Sequence, residues 1–249
     1  MSRRKRTRVR KVRVAVVTAA MGMSVVPLHA PASAAPQSLR SAVPTVKRWL
    51  DHLEEGRSRK AWKLMARPTR RAIGGFQEFK DQRSAWAEGY GAWASARKGD
   101  FELKVVAPMD DDADSVVTMT GRVAREGPHR RAADALPVHT RDGTTKVDPI
   151  NGNAVIRPRN PGPHESTGRK PTLKAVVKHI TAKTTSVYFA VKGSRVDAQR
   201  ARLRRTGPHT YVATVRWPRR LGLGHHVLTI AAWGKRDFQA RTVRFKVHD

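Results

Sequence analysis

Cysteine is absent from the 249 residues, which excludes disulfide frameworks, thiolate zinc sites and cysteine nucleophiles together. Acidic residues are scarce, 20 against 50 Lys and Arg, and the formal net charge of +30 points to an anionic partner or surface. Aromatics make up only 6%, yet six Trp and a hydrophobic content of 39% exclude a low-complexity tail. No catalytic signature is present, so no residue is assigned a catalytic role and no cofactor is expected. At roughly 100–200 residues per domain, the length allows one large domain or two small ones.

What is there begins with an address. Residues 3–13 carry eight basic side chains, an uncharged Val- and Ala-rich stretch runs from Val14 to Leu28, and Ala32-Ser33-Ala34 closes it. A basic start, an apolar middle of about 15 residues and a small-x-small end make a secretory signal peptide, cleaved between Ala34 and Ala35. A retained anchor and a nucleic-acid-binding basic tail are the alternatives; against the anchor, Pro27 interrupts the run and its length falls below the ~20 apolar residues a spanning helix needs. Ser2-Arg3-Arg4 hints at twin-arginine export, although Lys5 and Arg6 stand where that signal wants an apolar residue. General secretion fits better, giving a secreted or envelope-associated protein.

Removing residues 1–34 takes eight positive charges from +30 and leaves +22. Residues 35–155 hold 21 basic and 16 acidic side chains, whereas residues 156–249 hold 21 basic and four acidic. Between them, residues 156–171 are rich in Pro and Gly without apolar periodicity, which predicts an extended linker. The chain is thus expected to comprise a first domain over 35–155, this linker, and a second domain over 172–249.

The first domain reads as helices followed by strands. Pro44 opens a helix with Val46, Trp49, Leu50 and Leu53 on one face, and Gly56 sits at its end. Ser58 is placed to cap a second helix with Ala61, Trp62, Leu64 and Met65 inside, stopped by Pro68. Phe76, Phe79, Trp86, Tyr90 and Trp93 supply a further aromatic face. From Phe101 the period becomes two, through Leu103 and Val105 and again through Val116, Thr118 and Thr120. Leu136–Thr140 and Thr145–Asp148 flank Asp142-Gly143, a strong hairpin turn signal. Helices first and an antiparallel sheet afterwards give an α+β class.

Arg48–Gly56, Ala61–Met65 and Gly75–Phe79, with Leu136-Pro137-Val138 and Lys146-Val147-Asp148 later, resemble the opening and closing segments of nuclear-transport-factor-2-like domains, over about residues 41–150. The resemblance implies a curved sheet wrapped around a long helix, with a cone-shaped pocket that is enzymatic in some relatives and filled in others. A pocket enzyme or small-molecule binder is therefore the rival reading. His139, Asp148, Tyr90 and Asp100 could be recruited as base or donor, but no spacing ties two of them together. The run Asp110, Asp111, Asp112, Asp114 fails as an EF-hand loop, because Ser115 and Gly121 stand where Gly and Glu belong, and it reads as a solvated turn. His225 and His226 are adjacent and, on a strand, point to opposite faces. No metal site is expected.

From Pro171 onward the period is two almost throughout, with turns at Thr206-Gly207-Pro208 and Leu221–Gly224, as in an all-β antiparallel sandwich. Gly224–Ala232 followed by Val243–Val247 resembles the last two strands of bacterial immunoglobulin-like or fibronectin-type domains, which implies an adhesive or spacer module. If Ala201 and Leu203 face the core, Arg200, Arg202 and Arg204 share the outer face. Arg244 and Lys246 project outward from the last strand, and Arg216, Arg219 and Arg220 cluster at a strand end. These eight residues are the candidate polyanion-binding set. No recognition-helix motif occurs and most aromatics take inward strand positions, Tyr188 being the one left for an exposed face, so nucleic acid is disfavoured. The expected partner is an anionic cell-wall polymer or membrane surface, with a protein partner conceivable on the first domain.

Overall fold

The computed structural model describes residues 41–91, 93, 100–105, 113–123, 130–149, 154–234 and 238–249. The expected signal peptide with its cleavage point, and Asp110, Asp111 and Asp112, lie outside the described residues.

The 3.6-residue pattern after Pro44 forms helix α1 (Ala42–Glu54), which buries Ala42, Val46, Trp49, Leu50 and Leu53. It ends as expected, with Gly56 left-handed and its N–H donated to the Leu53 carbonyl. Ser58 is the first residue of α2 (Ser58–Leu64) rather than its cap, a position held by Arg57. Pro68 likewise does not stop α2. It opens α3 (Arg67–Ile73), where a missing N–H costs nothing in the first turn. Short helices α4 (Phe76–Asp81) and α5 (Arg83–Trp86) follow, with a π-turn over Ala87–Gly91.

Strands β1 (Asp100–Val105), β2 (Ala113–Val123), β3 (Arg130–Arg141) and β4 (Thr144–Val147) form an antiparallel meander. The β3–β4 turn is the expected Asp142-Gly143, both at positive φ. One face of this sheet presents Val117, Met119, Leu136, Val138 and Val147 to the helices. The space between is packed with Trp49, Phe79, Trp86 and Trp93, all buried. Trp49 meets Tyr90 edge-on at 5.1 Å, and Trp86 stacks on Tyr90 at 5.9 Å.

The Pro-rich segment expected as a linker belongs to the sandwich instead. Strand β5 (Val155–Asn160) pairs with β7 (Thr172–Lys178), and Ile156 opposite Val177 enters the core. Pro158 is tolerated because β5 is an edge strand, with a register shift between Pro158 and Asn160. Beyond it, β6 (Ser166–Thr167) runs parallel to the final strand. One sandwich sheet has the order β10-β11-β7-β5, where β10 is Arg202–Gly207 and β11 is Thr210–Arg216. The other has the order β6-β13-β12-β8-β9, with β8 (Thr185–Val191), β9 (Gln199–Arg200), β12 (Gly224–Gly234) and β13 (Phe238–Val247). Leu173, Val177, Phe189, Val215, Trp217, Ile230 and Phe245 fill the space between them.

The described residues belong to one compact unit. The second face of the meander, carrying Val116 and Ala135, packs on Ala231 and Phe238 from the five-stranded sandwich sheet, with Tyr188, Trp233 and Ala240 around them. A buried Thr118–Thr229 hydroxyl pair at 2.7 Å and a Thr242 hydroxyl donated to the Ala133 carbonyl at 2.9 Å cross the same boundary. Three sheets are thus layered, and the middle one is covered on both sides. The molecule is mostly β, with its described helices at the N-terminal end.

Candidate functional site: a basic sheet face and a histidine clasped by two carboxylates

The eight candidate cations do not form one site. The chain changes sheets at Ala201, whose N–H is donated to the Val187 carbonyl. Arg200 therefore sits on β9 against β8, while Arg202 and Arg204 sit on β10 against β11. All three are exposed, but they do not share a strand as the alternation implied. Arg244 is half-buried on the sheet that the meander covers, so it is not the free outward cation expected; Lys246, nearer the strand end, is exposed. Arg219 and Arg220 are exposed after Trp217, where with Arg195 and His226 they line a depression of about 280 Å³.

The four-stranded sheet supplies the coherent arrangement. Residues paired across strands share a face. Arg204 opposes Val212, Val212 opposes Val176, and Val176 opposes Arg157. One row along, Arg202, Thr214 and Lys174 follow, and Arg216 and Lys178 lie further out on β11 and β7. Core-facing Leu173, Ala175, Val177, Ala213 and Val215 fix the opposite parity. The outer face therefore carries Arg157, Lys174, Lys178, Arg202, Arg204 and Arg216, and these four strands contain no Asp or Glu. With strands about 4.8 Å apart, cations on β10 and β5 flank a floor of Val212, Val176 and Thr214 roughly 14 Å across. Arg157 was hidden by the linker reading, and Lys174 and Lys178 only acquire meaning through register.

A second polar cluster lies where meander and sandwich meet. Asp114, read as part of a solvated turn, instead lies in the first residues of β2 opposite His139, and Thr118 and Ala135 continue that face. The His139 Nδ1 bonds to Asp114, and its Nε2 lies 2.5 Å from Asp148 Oδ2. Asp148 is fully buried and also accepts the Thr69 hydroxyl, while Asp114 accepts the indole N–H of Trp233 from β12. The Phe238 ring packs edge-on to the imidazole at 5.9 Å. Burial alone would lower the His139 pKa, but hydrogen bonds to Asp114 and Asp148 and their charges outweigh it and push it up to about 9. Burial raises the Asp114 pKa, and the His139 and Trp233 hydrogen bonds more than reverse this, leaving it below its ordinary value.

His139 and Asp148, proposed separately from sequence as acid–base candidates, are brought together, and Asp114 joins them. The chemistry differs from a catalytic pair. Both imidazole nitrogens are engaged by carboxylates, so neither points freely toward a substrate. The arrangement is a bolt between layers. Tyr90 stands elsewhere, half-buried among Trp49 and Trp86, and burial followed by the charge of Asp134 pushes its phenol up to about 12. Asp100 begins β1. His226 Nε2 bonds to the Gly222 carbonyl at 2.8 Å. Among the described residues, no group of His, Asp and Glu could hold a metal ion, and no helix is long and apolar enough to cross a membrane.

No family model matches the chain, and no curated protein matches it. Solved structures similar to parts of it include an endo-β-1,4-mannanase from Thermotoga petrophila, at 11% identity and TM-score 0.30 over 39% of this chain and 20% of that one. A stretch of titin domains matches at 12% identity and TM-score 0.25, over 61% of this chain and 66% of that one. The chain spans one fifth of the mannanase's length. Likenesses at this level carry no argument about activity, and the sandwich rests on the sheet topology described above.

Proposed function

We propose that this is an exported, non-catalytic envelope protein that holds itself against an anionic cell-wall polymer through the outer face of its four-stranded sheet. One observation carries the reading. Of the two outer faces of the sandwich, one is covered by the meander, and the other carries six cations without a carboxylate. A single-sign field of this kind attracts polyanions, with affinity that falls steeply as salt rises. In this reading the first module is a nuclear-transport-factor-2-like scaffold whose interior is packed with aromatic side chains, and the sandwich is immunoglobulin-like. The signal peptide over residues 1–34 delivers the protein to the polymer.

The test is salt-graded cosedimentation with isolated cell walls, before and after their anionic polymers are stripped, and with anionic vesicles in parallel. Retention at low salt that is lost on stripping, and weakened in Arg157→Glu/Lys174→Glu/Arg204→Glu, is the expected result. Retention that ignores salt and the triple variant would overturn the reading. Retention by vesicles alone would move the partner from wall polymer to membrane surface.

A further inference from the structure

The first module looks nearly neutral by count, yet its cations are not evenly spread. Arg57, Arg59, Lys60, Lys80 and Arg83, together with Gly56, Ser58 and Phe76, line a cleft of about 430 Å³ between the start of α2 and the α4–α5 junction. That volume lies in the range of small-molecule sites. Among the described residues, no carboxylate lines it. Of the neighbouring acids, Glu55 pairs with Arg57 and neutralises that one cation of the lining, Asp81 accepts the Gln77 amide, and Glu78 lies toward Gly74 and Gly75. Among the described residues, no carboxylate pairs with Lys60, Lys80 or Arg83.

Two of these cations are seated by their surroundings. The Arg83 guanidinium lies against Gly56, where any Cβ would overlap it, and Gly56 also holds a left-handed φ that favours glycine. The Arg59 guanidinium sits over the Phe76 ring, 5.4 Å from its centroid, and Phe76 is braced edge-on by Trp62 at 6.1 Å. The field reaches beyond the cleft. The His52 pKa is lowered first by burial and then by Arg57 and Lys60. Arg59, Lys60, Lys80 and Arg83, which pair with no carboxylate among the described residues, repel one another around one opening, and a bound anion relieves that repulsion.

We propose that this cleft is a binding site for a small, multiply charged phosphate compound, one bearing at least two phosphate charges. The guanidinium groups of the lining match phosphate oxygens bidentately, and Lys60 and Lys80 add point charges. A single orthophosphate would fill only a small part of a cleft of about 430 Å³. The site is separate from the sandwich face and does not depend on the function proposed for it.

The probe is inorganic tripolyphosphate, with orthophosphate as comparison, titrated calorimetrically into the full chain at low salt. Cleft variant Lys60→Glu/Lys80→Glu/Arg83→Glu is set against an equal charge reversal on the sheet face, Lys174→Glu/Arg202→Glu/Arg204→Glu. The cleft variant is expected to lose roughly tenfold or more in affinity, and the sheet variant much less. Hydrogen exchange on the unmodified chain, which does not depend on either variant folding, is expected to slow in residues 56–60 and 76–83 when tripolyphosphate is added. Equal losses in both variants, or protection confined to other segments, would show diffuse charge attraction and overturn the proposal. Binding of orthophosphate as tight as that of tripolyphosphate would overturn the requirement for multiple phosphates.

Discussion

His139 Nε2 lies 2.5 Å from Asp148 Oδ2, and the other nitrogen of the same ring is bound to Asp114. Asp148 comes from the end of the β4 hairpin, and Asp114 is tied through Trp233 to the sandwich. One imidazolium therefore links a helix (through Thr69), two strands of the meander and the module stacked on it.

The pH dependence of stability follows from that link. The folded pKa of His139, about 9, lies above the ordinary histidine value of 6.5 that it regains on unfolding. Its contribution is complete below about pH 6.5 and is lost as pH rises through about 9, a change on the order of 3 kcal/mol. Asp114 acts in the opposite sense: its lowered pKa adds stability above the ordinary carboxylate range, lost as pH falls through the folded value. Urea unfolding of the unmodified chain should weaken between pH 6 and pH 10. His139→Gln should be less stable at pH 6 by about 3–5 kcal/mol, because it leaves a buried carboxylate uncompensated, and should be flat over the same window. An unmodified chain as flat as the variant would contradict the raised pKa of the clasped imidazole.

Trp233→Phe keeps an aromatic ring at the module boundary but removes the indole donor to Asp114. Loss of a hydrogen bond to a charged acceptor should cost about 1.5–3 kcal/mol. Denaturant midpoints at pH 7 check this, and a change within error would mean that solvent replaces the indole without penalty.

Phe238 is buried between the layers beside Val116, Ala135 and Ala231. Phe238→Ala should cost about 3–5 kcal/mol. More diagnostic is the form of the transition. The unmodified chain should unfold as one cooperative unit in calorimetry, and Phe238→Ala should begin to separate the helical module from the sandwich. Two well-resolved transitions in the unmodified chain would show that the boundary contributes little.

Gly143 adopts φ +70 in the β3–β4 turn, with open space around any added Cβ. The penalty of Gly143→Ala is therefore conformational alone, about 1–2 kcal/mol. Thermal denaturation should show that loss while polyanion and tripolyphosphate binding stay unchanged.

Much of the local structure was legible because it depends on neighbours in the chain. The spacing of Val46, Trp49, Leu50 and Leu53 places one face of α1 inward, and Asp142-Gly143 makes a two-residue turn between alternating strands. The same logic failed where a competing partner decided. Pro158 suggested a linker, but Ile156 beside it is apolar and a sheet edge accepts a proline. Arg200, Arg202 and Arg204 alternate in sequence, but the chain leaves one sheet for the other between the first and second.

The sequence by itself determined the periodicities, the turn, the basic excess of the second half and the alternation that puts Arg202, Arg204 and Arg216 outward. Each of these is a property of chain geometry over a few residues. Only the tertiary structure decided which outer face the meander covers, that Arg157, Lys174 and Lys178 share the other, that Asp114 and Asp148 clasp His139, and that Arg57, Arg59, Lys60, Lys80 and Arg83 line one cleft. Alternation says which side chains share a face but not what covers it. Charges distant along the chain have no energy of interaction until packing brings them within a few ångströms and removes the water between them.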